Sequence, residues 1–139
     1  MLRPVRDRRM AAVLLVLAVA ALPGCAAPGG RGTAAADVAT RLLTAVKGQD
    51  GAAACALLAP DTASEVEQSG GKPCAEAILD EDLPEPATVT GTAVYGQWAQ
   101  VRVGADTEFL AVFPGGWRVV AAGCRSRGER PYDCEVQGG

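Results

Sequence analysis

The sequence predicts an α+β fold: N-terminal short helices packed on a curved four-stranded antiparallel sheet. Three observations predict it. Apolar residues recur at helical spacing between Val38 and Ile78, interrupted by Pro60 and Pro73. An acidic, proline-broken joint, DEDLPEP at residues 80–86, ends that period. Four β-branched or aromatic runs follow, separated by gaps of two or three residues, too short for the crossovers that parallel strands need. Helices followed by a meander place a helical layer on one face of an antiparallel sheet.

The first helix is expected to begin at Asp37, an N-cap residue, and to end near Gly48. Its apolar stripe is Val38, Leu42, Ala45 and Val46, widened by Leu43. A second, from about Gly51 to Leu58, stops at Pro60. Asp61 is placed to cap a third, TASEVEQ, which ends at Gly70-Gly71, and Pro73 suits the first turn of a fourth, CAEAILD. The strand runs are ATVTGTAVYG, QWAQVRVG, TEFLAVFPG and GWRVVAAGC. Ala99, Val101 and Val103 share one face of their strand, as do Phe109, Ala111 and Phe113, and Trp117, Val119 and Ala121. The polar stretch SRGERPYD is expected to be a loop returning from Cys124 to Cys134.

The N-terminus reads as an address. Arg3, Arg6, Arg8 and Arg9 precede AAVLLVLAVAAL, residues 11–22. This uncharged run is shorter than the roughly 20 residues a membrane-spanning helix needs, and it suits the h-region of a secretory signal. Leu22-Pro23-Gly24-Cys25 follows, and this tetrapeptide resembles the bacterial lipobox. The resemblance implies an actinobacterial-type lipoprotein in which Cys25 carries a diacylglycerol thioether with palmitate-type chains and becomes the first mature residue. Residues 1–24 are then a lipoprotein signal peptide, 25–36 (Cys25 and AAPGGRGTAAA) a flexible tether, and 37–139 a single disulfide-stapled domain. Two or three acyl chains anchor stably where one does not, so the expected location is the extracytoplasmic face of the cell membrane.

Composition narrows the chemistry. Four of the 13 cations and one of the 16 acids fall in residues 1–24, leaving a mature charge of about −6. That balance argues against nucleic acid, whose binding rests on cationic contacts to phosphates. The chain has no histidine, which removes Ser-His-Asp and Cys-His catalysis and histidine-based zinc sites. Setting Cys25 aside, Cys55, Cys74, Cys124 and Cys134 remain, an even number in an exported chain. Three connectivities are open. Cys55–Cys74 with Cys124–Cys134 is favoured because neighbours in sequence fall in one local unit, and each bridge is worth about 3 kcal/mol on chain-entropy reasoning. A four-cysteine zinc site lacks any C-x-x-C pair.

Candidate sites are few. Gly70-Gly71-Lys72-Pro73 lacks the first glycine and the Ser/Thr of a phosphate loop and reads as a helix connection. Asp80, Glu81, Asp82 and Glu85 supply oxygens suited to calcium, but no Asp-x-Asp-x-Asp-Gly loop frames them. Arg125, Arg127 and Arg130 sit with Tyr132 in the small disulfide loop, where guanidinium forks suit phosphate or carboxylate. Tyr95, Trp98, Phe109, Phe113 and Trp117 either line a pocket or, as the blander reading, fill the core of a small sheet. Asp106 and Glu108 flank a hairpin and are expected to be exposed. No metal site and no cofactor motif stands out.

The run Phe109 to Val119, F-L-A-V-F-P-G-G-W-R-V, and the element order resemble small cystatin-like and NTF2-like domains of actinobacterial lipoproteins. The resemblance implies a cone-shaped fold with a pocket between sheet and helices, and no activity. The expected function is a non-catalytic interaction module of the cell envelope that binds another envelope protein through Tyr95, Trp98, Trp117, Arg125, Arg127 and Arg130. The alternative is an NTF2-like carrier of a small apolar ligand; an enzyme is the least favoured. A carrier should show an aromatic-lined cavity, a binding module a filled core and an exposed apolar patch, and an enzyme a buried carboxylate with a shifted pKa.

Overall fold

A computed structural model describes residues 28–138. The arginine-led apolar run and Cys25 lie outside the described residues. The chain forms α1 (Pro28–Lys47), α2 (Gly51–Leu57), α3 (Pro60–Gly70) and α4 (Cys74–Ala77), which runs on into a 3-10 turn over Ile78–Asp80. Five strands follow: β1 (Val89–Tyr95), β2 (Trp98–Val103), β3 (Asp106–Phe113), β4 (Gly116–Arg127) and β5 (Arg130–Gln137). They form one open antiparallel sheet in the order β1-β2-β3-β4-β5. Among the described residues no helix is long and apolar enough to cross a membrane.

The sheet has five strands, not four. The stretch expected as a polar loop is a hairpin: β4 runs on to Arg127, and β5 returns with Cys134 directly opposite Cys124. Pairing supplies what composition lacks here. The Cys124–Cys134 bridge joins the strands at a Cα–Cα distance of 3.9 Å, and the Gly138 N–H donates to the Val120 carbonyl at 3.0 Å.

The first helix also begins earlier than expected. Residues from Pro28 onward, expected as tether, are helical, and Asp37 sits mid-helix in an i,i+4 ion pair with Arg41 at 3.1 Å. Glycines disfavour helix here, but tertiary contacts hold the turn. The Arg31 guanidinium donates to the Gly96 carbonyl and lies 5.5 Å from the Trp117 ring. Further along, Ala35, Val38, Ala39, Leu42 and Leu43 are buried at the spacing of one helix face. Asp50 caps α2, accepting from the Ala53 N–H at 3.0 Å. Ala59 is the N-cap of α3, and Asp61 lies in its first turn. Pro73 is the N-cap residue of α4 and not part of its first turn.

The core lies between the helical layer and one face of the sheet. Leu42, Leu43, Leu57, Leu58, Val66 and Ile78 pack with Val101, Val103, Leu110, Trp117, Val119 and Val136. The start of α3 is pinned to β4: the Ala59 N–H donates to the Val119 carbonyl at 2.8 Å, and the buried Thr62 hydroxyl to the Val120 carbonyl at 2.9 Å. Cys55–Cys74 ties α2 to α4. The two helices touch so closely that a Cβ at Gly51 would stand 1.7 Å from the Ala75 carbonyl oxygen.

That approach generates a test. Gly51→Ala is expected to push α2 and α4 apart, costing about 2 kcal/mol or more and lowering the thermal midpoint by roughly 10 °C. An unchanged midpoint in a calorimetric scan would show that the helices do not meet there.

Candidate functional site

Alternation along β2 sorts its side chains. Ala99, Val101 and Val103 are buried toward the helices, while Trp98, Gln100 and Arg102 face away. Register carries this sorting across the sheet. Val101 opposes Glu108 and Ala99 opposes Leu110 on the inner side; Gln100 opposes Phe109 and Trp98 opposes Ala111 on the outer side. Phe109 and Ala111 therefore face outward, away from the core. The β3–β4 register slips between Phe109 and Leu110, so Trp117 and Val119 point inward while Ala121 lies opposite Phe109 on the outer side.

The outer face holds an apolar groove of about 330 Å³, lined by Trp98, Phe109, Ala121, Pro131, Tyr132 and Gln137. Small side chains make it: Ala111 and Ala121 stand in register beside the rings. Phe109 and Tyr132 meet edge to face at 5.0 Å between ring centroids, a favoured aromatic geometry. The Gln100 amide donates to the Tyr132 hydroxyl at 3.2 Å. Trp98 is 56% exposed and Tyr95, its partner across the β1–β2 turn, 66%.

The structure brings together only part of the expected set. Tyr95 and Trp98 sit side by side. Trp117 is 7% exposed and belongs to the core, so it is not a surface contact. Arg127 and Arg130 oppose each other at the tip of the β4–β5 hairpin, away from the rings lining the groove. Arg125 lies between Asp106, at 3.7 Å, and Glu135, at 3.8 Å. Alternation separates Tyr132 from Arg125, whose partner is the neighbouring residue Asp133. Gln100, Pro131 and Gln137 had no signal of their own; only the existence of β5 places the last two at the groove.

Glu108 corrects the expectation of an exposed hairpin carboxylate. It lies on the inner face, 1% exposed, and neither carboxyl oxygen has a hydrogen-bond partner. Burial pushes its pKa up to about 8, with the nearby Asp106 charge adding to the rise. A buried carboxylate with a raised pKa is the kind of group an enzyme uses, but Glu108 does not line the groove. It is a sealed, neutral core group. In the acidic joint, Asp80 pairs with Lys72, and Glu85 with Lys47 at 2.8 Å. Among the described residues no group of three or more Cys, Asp and Glu side chains is placed to hold a metal ion.

No family model, curated protein or solved structure matches this chain.

Glu108 makes stability depend on pH. Its carboxyl binds a proton up to about pH 8 in the fold but only to an ordinary 4.5 when unfolded. Folding therefore takes up a proton between those values, and stability falls as pH rises through that window, by up to about 1.4 kcal/mol per unit. Urea titrations from pH 5 to pH 9 should show this fall, levelling off above pH 8, and Glu108→Gln should flatten it. An identical pH profile in the variant would contradict the burial.

Proposed function

We propose that this chain is a lipid-anchored lipoprotein on the extracytoplasmic face of the cell membrane, acting as a non-catalytic binding module of the envelope. The observation that carries the reading is the division between the two faces of the sheet. The helix side is filled by Leu42, Leu110, Val119 and their neighbours. The other side leaves Trp98, Phe109 and Tyr132 around an open groove, with Tyr95 exposed next to Trp98. Tyr and Trp in partly desolvated pockets are the usual anchors of protein interfaces, so the partner is taken to be another envelope protein. LPGC and the arginine-led apolar run support the anchor, and two disulfides suit an oxidising compartment.

The order of helices before a meander supports a cystatin-like or NTF2-like architecture. A second reading, carriage of a small apolar ligand, is favoured by the volume of the groove and its aromatic lining. It would place the ligand outside the sheet, where NTF2-like carriers are expected to use the space beneath it. The proposal assigns no catalytic residue, no cofactor and no nucleic-acid contact.

Site-specific photo-crosslinking in the host envelope tests the choice of face. A photoreactive residue at Gln137, beside the groove, should give one discrete protein adduct, and the same residue at the exposed Glu76 on α4 should give none. Phe109→Ala should reduce the adduct at least tenfold. Equal adducts from both positions would contradict the assignment of the interface to the outer face.

A further inference from the structure

The two edges of the sheet are built differently. β5, at one edge, carries Arg130, Pro131, Asp133 and Glu135, the charges and proline that keep an edge from pairing with other chains. β1, at the other, reads Val-Thr-Gly-Thr-Ala-Val-Tyr. It has seven residues with no charge and no proline. In an antiparallel ladder every second residue of an edge strand turns its N–H and C=O outward. Among the described residues no strand lies beyond β1 to take them.

Open space flanks this edge on both faces. On the outer side a hollow of about 260 Å³ is lined by Gly91, Ala93, Tyr95, Gln100 and Arg102. On the inner side a cleft of about 530 Å³ runs between β1 and the first turns of α1, lined by Gly29, Gly32, Thr33, Ala36, Thr92 and Val94. Thr92 borders both. A strand added to β1 would send alternate side chains into the two spaces, because successive side chains of a strand point to opposite faces.

Charge selects the occupant. Arg102 lies across β1 where Gly91 leaves room: a Cβ there would stand 2.5 Å from its guanidinium. Arg102 has no ion pair among the described residues. Neither β1 nor residues 28–36 contain an acid. A second copy paired β1 to β1 would bring both Arg102 guanidinium groups to one face with nothing between them. If Cys25 begins the mature chain, only three residues precede α1, too few to cover a seven-residue strand.

We infer that β1 is a strand-addition site for an extended acidic segment of another protein. Its carboxylate meets Arg102 in the outer hollow, and its small or β-branched side chains lie against Gly29, Gly32 and Ala36. The inference rests on the binding-module reading, but on an edge distinct from the aromatic groove.

The test uses the chain as its host processes it, in detergent, with two labelled probes: acetyl-Val-Glu-Val-Glu-Val-Glu-Val-amide and its lysine counterpart. The glutamate peptide should bind at least tenfold tighter by fluorescence anisotropy and slow hydrogen exchange across Val89–Tyr95. Arg102→Glu should reverse the order of the two peptides. Thr92→Lys, which fills the inner cleft without removing a partner of the β1–β2 ladder, should weaken binding at least tenfold while the chain stays folded. Trp98→Ala should leave peptide binding as it is, which separates this site from the groove. Equal affinity for the two peptides, no slowing at β1, or a dimer with β1 already protected would each overturn the inference.

Discussion

The rest of the structure depends on one strip of contact, where Leu42 and Leu43 of α1 meet the inward side chains of the central strands, Val101, Leu110 and Val119. Each of these is essentially fully buried, and each such side chain contributes about 1.5–3 kcal/mol on leaving water. The strip sets the register of the sheet. A one-residue slip of β2 or β3 would exchange the aliphatic row for Trp98, Gln100, Arg102 and Phe109. The two disulfides act at the margins of this layer. One holds α2 to α4, and the other closes the hairpin at the sheet's far edge.

Fixing the inner face also fixes what is left outside. With the aliphatic residues committed to the helices, the rings of β1, β2, β3 and β5 fall on the opposite side with no layer to cover them. The inner layer tolerates one foreign group, Glu108, at a central position of β3. An unpartnered buried polar group costs about 1–3 kcal/mol, and nothing among the described residues accounts for a carboxyl there. Its burial makes the stability of the domain depend on its protonation.

Much of the fold was legible in the sequence, and the exceptions have physical causes. Helices before strands, the period-two alternation of β2 and the short turns between strands are local signals, and each appears where local chemistry put it. The early start of α1 was hidden because glycine-rich sequence opposes helix, while contacts distant in sequence, such as Arg31 against Trp117 and Gly96, hold the turn. β5 was hidden because Pro131 and alternating charges read as a loop, while its pairing partner lies within the same ten residues as its disulfide. Glu108 was expected to be exposed because it lies close to a hairpin turn; its pairing opposite Val101 puts it on the inner face instead. Of the candidate contact residues, Tyr95, Trp98 and Trp117 looked alike in sequence, and only the face each occupies leaves the first two exposed and buries the third.

On the binding-module reading, the ring-bearing face of the sheet is open in the isolated protein and covered where the protein works. Oxidative footprinting of the two tryptophans, read by mass spectrometry in purified protein and in intact cell envelopes, tests it most directly. In the purified protein Trp98 should react readily and Trp117 should not; in envelopes Trp98 should become protected while Trp117 stays as it was. Equal reactivity of Trp98 in both settings would contradict the claim that this face is the one the protein uses.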